Sequence, residues 1–177
     1  MARADGRHGE FTPERIWNMD ETRLYWDMPP TRTIHYKNGG RVVVQTSKYS
    51  KAGFSVVLTC AKDGSMLPPL IIFKGSTKGT LIKTVPAAVR AACGDSVRVC
   101  FRPQAGMNEQ VMLNEYHTLA KEQAGDRDIL LVMDALNAHR TDAVKELYEK
   151  SKLHLCIIPA GHTSLLQHCS YCCYELL

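Results

Sequence analysis

A mixed α/β domain is predicted, with a β-meander leading into an α-β-α-β run, so that a mixed sheet is flanked by helices. Two patterns predict it. Up to Phe73, short apolar runs rich in β-branched and aromatic residues are separated by Gly, Pro, Asn and Asp. From Asn108 onward, apolar residues at helical spacing alternate with short, nearly continuous apolar runs.

Residues 1–13 read as a flexible entry, small and charged, and broken by Gly6, Gly9 and Pro13. A first strand covers 16–20, and the Pro29-Pro30 pair interrupts the chain beyond it. Asn38-Gly39-Gly40 is a turn signal opening a strand at 41–46. The next strand covers 54–60 and is closed by Lys62-Asp63-Gly64. A further strand covers 67–73, beginning at or just before Pro68-Pro69. Asn108 is placed to N-cap a helix running to about Gln123, with Val111, Met112, Leu119 and Ala120 as its apolar positions. The run 129–133 is a strand. Residues 141–150 form a second helix through Ala143, Val144, Leu147 and Tyr148. A last strand at 153–158 stops at Pro159. The nine residues 169–177 carry three of the seven cysteines and follow neither period, so they read as an aberrant tail.

At 177 residues, 45% hydrophobic and 23% charged, the chain suits one domain with a real core rather than two. No apolar run approaches membrane-spanning length, and the N-terminus lacks the apolar stretch of a secretory signal. An odd count of seven cysteines without a disulfide-like framework points to a reduced, intracellular protein. The charge is segregated. Between Thr31 and Arg102 lie twelve Lys/Arg and only two acids, Asp63 and Asp95; that stretch carries +10 of a net +4, leaving −6 for the remainder. Such an excess attracts polyanions through counterion release, and nucleic acid is the obvious one.

Two aspartates stand out. Asp20 and Asp134 each close a short apolar strand, 114 residues apart. Carboxylates at strand ends, flanked by small and polar residues, suit hard divalent cations. A second cluster, His162, His168, Cys169, Cys172 and Cys173, has a spacing that structural zinc sites do not commonly use, and no zinc is expected there.

Four segments, taken in order, resemble the DDE superfamily endonuclease domain of pogo/Tigger/jerky-type transposases, the family that includes centromere protein B. They are Ile16-Trp17-Asn18-Met19-Asp20-Glu21-Thr22, Leu67-Pro68-Pro69-Leu70-Ile71-Ile72-Phe73-Lys74-Gly75, Leu130-Leu131-Val132-Met133-Asp134 with His139, and Pro159 to Gln167 ending Thr163-Ser164-Leu165-Leu166-Gln167. The resemblance implies an RNase H-like fold over residues 14–168, incomplete at its C-terminus. It also implies Mg²⁺ or Mn²⁺ as cofactor and two-metal cleavage or strand transfer at DNA phosphodiesters. Asp20 and Asp134 become the catalytic, metal-binding pair, and His139 a residue supporting the site from behind. Glu21 is expected to orient or cap locally. Lys74, Lys78, Lys83 and Arg90 are the expected DNA contacts, on a loop.

The chain departs from the family pattern in three places. Ala135 follows the second aspartate where Asn is usual, with Asn137 two positions later. His168 replaces a proline, and Ser170 stands where the third acid belongs. Glu175 lies five residues off that register. The expectation is therefore a transposase-derived DNA-binding domain, inactive as written. A domesticated non-catalytic DNA-binding or interaction protein and a decayed transposon remnant are the alternatives. DNA is the expected partner, a membrane is not, and a homo-oligomer is left open. Nuclear location follows from the resemblance alone, since no compact basic run serves as an import signal.

Overall fold

The computed structural model describes residues 11–26, 53–76 and 78–162. The expected strand at 41–46, Ser170 and the tail at 169–177 lie outside them, as does most of the entry segment.

Six strands form one sheet in the order β4-β3-β2-β1-β5-β6. They are β1 (Ile16–Tyr25), β2 (Gly53–Ala61), β3 (Leu70–Lys74), β4 (Arg98–Arg102), β5 (Ile129–Met133) and β6 (Leu153–Ile157). The pairs β1/β2 and β2/β3 are antiparallel, so the first strand itself joins the meander expected of the three strands after it. The pairs β3/β4, β1/β5 and β5/β6 are parallel. Helices α1 (Leu81–Cys93), α2 (His117–Ala124) and α3 (Asp142–Lys150) complete the domain.

The sheet has two unlike faces. On the first, Trp17, Met19, Val57, Leu70, Ile72, Ile129, Leu131, Met133 and Leu153 are buried in one cluster with Leu119 and Ala120 of α2 and Val144 and Tyr148 of α3. Fully burying a side chain of this kind contributes roughly 1.5–3 kcal/mol, so this face carries most of the stability. Buried hydroxyls there are paired: the Thr59 and Tyr116 hydroxyls lie 2.8 Å apart, and the Tyr148 hydroxyl donates to the Met112 carbonyl at 2.9 Å. The second face has a smaller cluster, Val56 and Leu58 with Leu24, Phe54 and Cys60.

Helix caps follow the sequence. Asn108 Oδ1 accepts the Val111 N–H at 2.9 Å, and Thr141 Oγ1 accepts the Val144 N–H at 3.4 Å. The first turns after Asn108 are π-helical, Val111–Tyr116, before α2 begins. The wider turn sets Val111, Met112 and Tyr116 together on the buried side.

Three expectations are corrected. β1 does not end at Asp20; it continues to Tyr25, because residues 21–25 stay in register with β2 as far as Tyr25↔Gly53. Gly53 permits that pairing, since a Cβ there would lie 2.1 Å from the Leu24 carbonyl oxygen. β3 starts after Pro68-Pro69 rather than at or before them, since neither proline has an N–H to give the ladder; the Pro69 carbonyl instead accepts the Arg98 N–H at 2.9 Å. Finally, the segment read as a basic loop contains α1 and leads to β4. Pro86, Thr84 and Val85 lie inside α1 and mask its helical pattern. The crossover β3-α1-β4 adds a parallel strand to the meander's edge.

Candidate metal centre

β1 and β5 pair in parallel through Ile16↔Leu130, Trp17↔Leu131 and Asn18↔Val132. Each pair differs by 114 positions, the same offset that separates Asp20 from Asp134. Carried on by two residues, that register would bring Asp20 level with Asp134, the first residue past β5, across neighbouring strands about 4.8 Å apart. Both lie in phase with Asn18, which is buried and donates through Nδ2 to the Val132 carbonyl at 3.4 Å. That bond ties the two strands together one side-chain repeat below the carboxylates.

Each aspartate is half-buried and locally oriented. Asp20 Oδ1 accepts the Glu21 N–H at 2.9 Å. Asp134 is the first residue past β5, and its Oδ1 accepts the Leu136 N–H at 3.3 Å. His139 Nδ1 lies 2.9 Å from the same oxygen and 3.2 Å from the Asp134 carbonyl oxygen. Because both neighbours of Nδ1 are acceptors, Nδ1 carries the proton. The hydrogen bond from His139 holds the Asp134 carboxyl below the ordinary carboxylate range; partial burial opposes it, while the charge of a protonated His139 and the Leu136 N–H add to it.

His139 is not a surface residue. It sits in a single 3₁₀ turn, Asn137–His139, at 3% exposure, and its Nε2 has no hydrogen-bond partner among the described residues. Asn137 is exposed in that turn. Glu21 points away from the pair: both of its carboxylate oxygens accept the Met107 N–H, at 3.3 and 3.2 Å, fastening the loop after β4 to the sheet.

The basic residues are spread over three kinds of structure rather than one loop. Lys74 ends β3, Lys78 lies in the following turn, and Lys83 and Arg90 are on α1; all four are exposed. Lys83 and Arg90 are seven residues apart, close to two helical turns, so they share a side of the helix. The sequence pattern did not single out Asn18 or Trp26. Asn18 could have been found by its even spacing from Asp20; Trp26, past the expected strand end, carried no such signal.

The donor set is two carboxylates, hard oxygen ligands of the kind Mg²⁺ and Mn²⁺ take. Among the described residues no cluster of three His, Cys, Asp or Glu side chains is assembled that would hold a metal. The residues present therefore fit two of the three expected ligands.

Comparison with known proteins bears on family and fold. The family model described as DDE superfamily endonuclease matches residues 51–177. The chain belongs to this family. Among curated proteins it is similar to the pogo transposable element with KRAB domain of Homo sapiens, 27% identical over 164 residues, and to that of Mus musculus, 26% identical. These alignments cover 91% of this chain and 25% of each relative, so the chain spans about a quarter of their length. Among solved structures it is similar to a Mos1 transposase paired-end complex with left transposon end, at TM-score 0.51 and 10% identity over 81% of this chain and 35% of that one. A Mos1 mariner paired end complex with Mn gives TM-score 0.50 at 10% identity, over 82% of this chain and 36% of that one. The shared fold is thus that of transposase catalytic domains, and the type is pogo-like. Among the described residues no helix is long and apolar enough to cross a membrane.

Proposed function

We propose that this chain is a transposase-derived DDE domain that binds DNA, acts in the nucleus, and no longer cleaves. The observation that carries the reading is the shared 114-residue offset: the β1/β5 register has the same spacing as Asp20 and Asp134. The family's membership, the Mn-bearing Mos1 neighbour and the basic stretch between residues 31 and 102 support it.

Asp20 and Asp134 would hold one Mg²⁺ or Mn²⁺, which when bound supplies positive charge to a phosphate oxygen and makes its water more acidic. The chain's own residues do the positioning. The Glu21 N–H orients Asp20, and the Leu136 N–H and His139 Nδ1 fix Oδ1 of Asp134, so that the carboxylate stays ionised and preset. Lys74, Lys78, Lys83 and Arg90 supply phosphate contacts, which gives binding little dependence on sequence. Inactivity rests on Ser170, a hydroxyl where the third carboxylate belongs.

Three measurements test this reading. Duplex DNA should bind tightly at low salt and lose affinity steeply as salt rises; no binding at low salt would refute the DNA assignment. Supercoiled plasmid should remain intact in Mn²⁺, whereas nicking abolished by Asp20→Ala would make the domain an active nuclease. Mn²⁺ titrated against the chain and followed by electron paramagnetic resonance should bind one ion, with binding lost in Asp134→Asn.

A further inference from the structure

A ladder of aromatic rings crosses the second face of the sheet. In register, Leu24, Phe54, Phe73 and Phe101 form one row over β1, β2, β3 and β4. Phe73 stacks on Phe101, with centroids 5.7 Å apart and ring planes 26° apart. Phe54 lies 5.3 Å from Phe73. Just past β1, Trp26 lies nearly parallel to Phe73, at 9° and 6.0 Å, and leans on Phe54 at 4.9 Å. The inner end of the ladder, Phe101, is buried, while Trp26 is 61% exposed. Single exposed apolar residues need no explanation. A large indole fixed from beneath by two rings is a different object.

We propose that Trp26 and the rings beneath it form a stacking site for the unpaired bases of a single DNA strand. The proposal rests on the DNA-binding reading of the domain, and not on the metal. Three observations choose this occupant. First, the chain that carries two of the rings is cationic: from Lys74, next to Phe73, to Arg102, next to Phe101, it holds six Lys/Arg against Asp95 alone. Arg98 and Arg102 are engaged by Glu122 and Glu115, which leaves Lys74, Lys78 and Lys83 without an ion pair among the described residues. A second copy of this positively charged surface would be repelled, whereas a polyanion is attracted. Second, away from its ends a duplex hides its base faces, so an unpaired base is the part of DNA that offers a π-face to an indole. Trp26 is already packed on two rings, so little side-chain entropy is lost. Third, the ladder shares the sheet face of Asp20. Trp26 lies six residues farther along the chain, about 20 Å at strand rise, which is about six stacked nucleotides. One strand can therefore reach both places.

The test uses the full chain and its own fluorescence. The chain has two tryptophans. Trp17 is 2% exposed and serves as a steady background, so base stacking reads out through Trp26. An oligothymidylate should quench the emission, and a blunt duplex of equal length should not. Trp26→Ala should weaken oligothymidylate binding about 10-fold, as loss of one base–aromatic stack implies. Trp26→Phe should recover most of it. Circular dichroism establishes that the variants fold, and the quenching measurement needs no variant at all. Unquenched emission with the oligomer bound, or Trp26→Ala binding as tightly as the parent chain, would overturn the proposal and leave the DNA reading standing. So would emission that changes with protein concentration in the absence of DNA, because a second copy would then cover the rings. If neither single strand nor duplex binds at low salt, the DNA reading falls and takes this proposal with it.

Discussion

The two faces of the sheet divide stability from chemistry. On the first, alternate residues of β1 and β5 vanish under α2 and α3, and the polar atoms there answer each other at hydrogen-bond distance. On the second, the intervening residues of the same strands carry Asn18, Asp20 and Asp134, a smaller apolar cluster and the exposed end of an aromatic ladder. One-residue alternation therefore sorts a single strand into structural and functional sets. Trp17 and Met19 face the core, while Asn18 and Asp20 face the site.

Substitutions that respect this division should differ in scale. The largest effect belongs to Leu131→Ala, at 0% exposure in mid-strand, which should cost about 3 kcal/mol in urea unfolding. An equal loss from Leu130→Ala, its half-buried neighbour on the other face, would break the contrast; about 1 kcal/mol is expected there. Tyr148→Phe removes only the hydroxyl that donates to Met112 and should also cost about 1 kcal/mol. Asp134→Asn should lower stability modestly at neutral pH, where the ionised carboxylate is held by His139 and the Leu136 N–H, and the deficit should fade with acid. Its signature is on the acid side. A carboxyl whose folded value is depressed adds stability that is complete above its unfolded value of about 4. That stability is lost as the pH falls through the folded value. Urea midpoints should therefore decline less steeply with acid in Asp134→Asn than in the parent chain, and parallel declines would show that His139 does not hold the ionised carboxylate.

Much of this architecture was legible in the sequence. Apolar runs with sharp ends gave β5 its bounds, and Asn108 announced its helix through a side-chain oxygen that caps the first turn; Thr141, expected as the first residue of the second helix, caps it instead. Asp20 and Asp134 stood out because apolar runs and flanking residues are local features, although β1 runs on past Asp20 to Tyr25. What stayed hidden was tertiary. Nothing near His139 says that its ring is buried against Asp134, since the turn Asn137–His139 reads as surface. The α1–β4 crossover was hidden because Pro86 and β-branched neighbours weaken a helix that packing nevertheless holds. Trp26 gains meaning only from Phe54 and Phe73, which arrive from other strands.

The parallel pairing of β1 with β5 has a consequence for how such a domain can change over time. Three residue pairs, Ile16 to Asn18 against Leu130 to Val132, set the register that the two aspartates share, while the long stretch between them contributes β2, β3, α1, β4 and α2. Closing a longer loop costs only about 0.6 kcal/mol for each doubling of its length. Insertions or deletions between these elements can therefore accumulate without shifting one aspartate against the other. A one-residue slip within the three pairs, by contrast, would turn one carboxylate into the core. The site is tolerant of length and intolerant of phase.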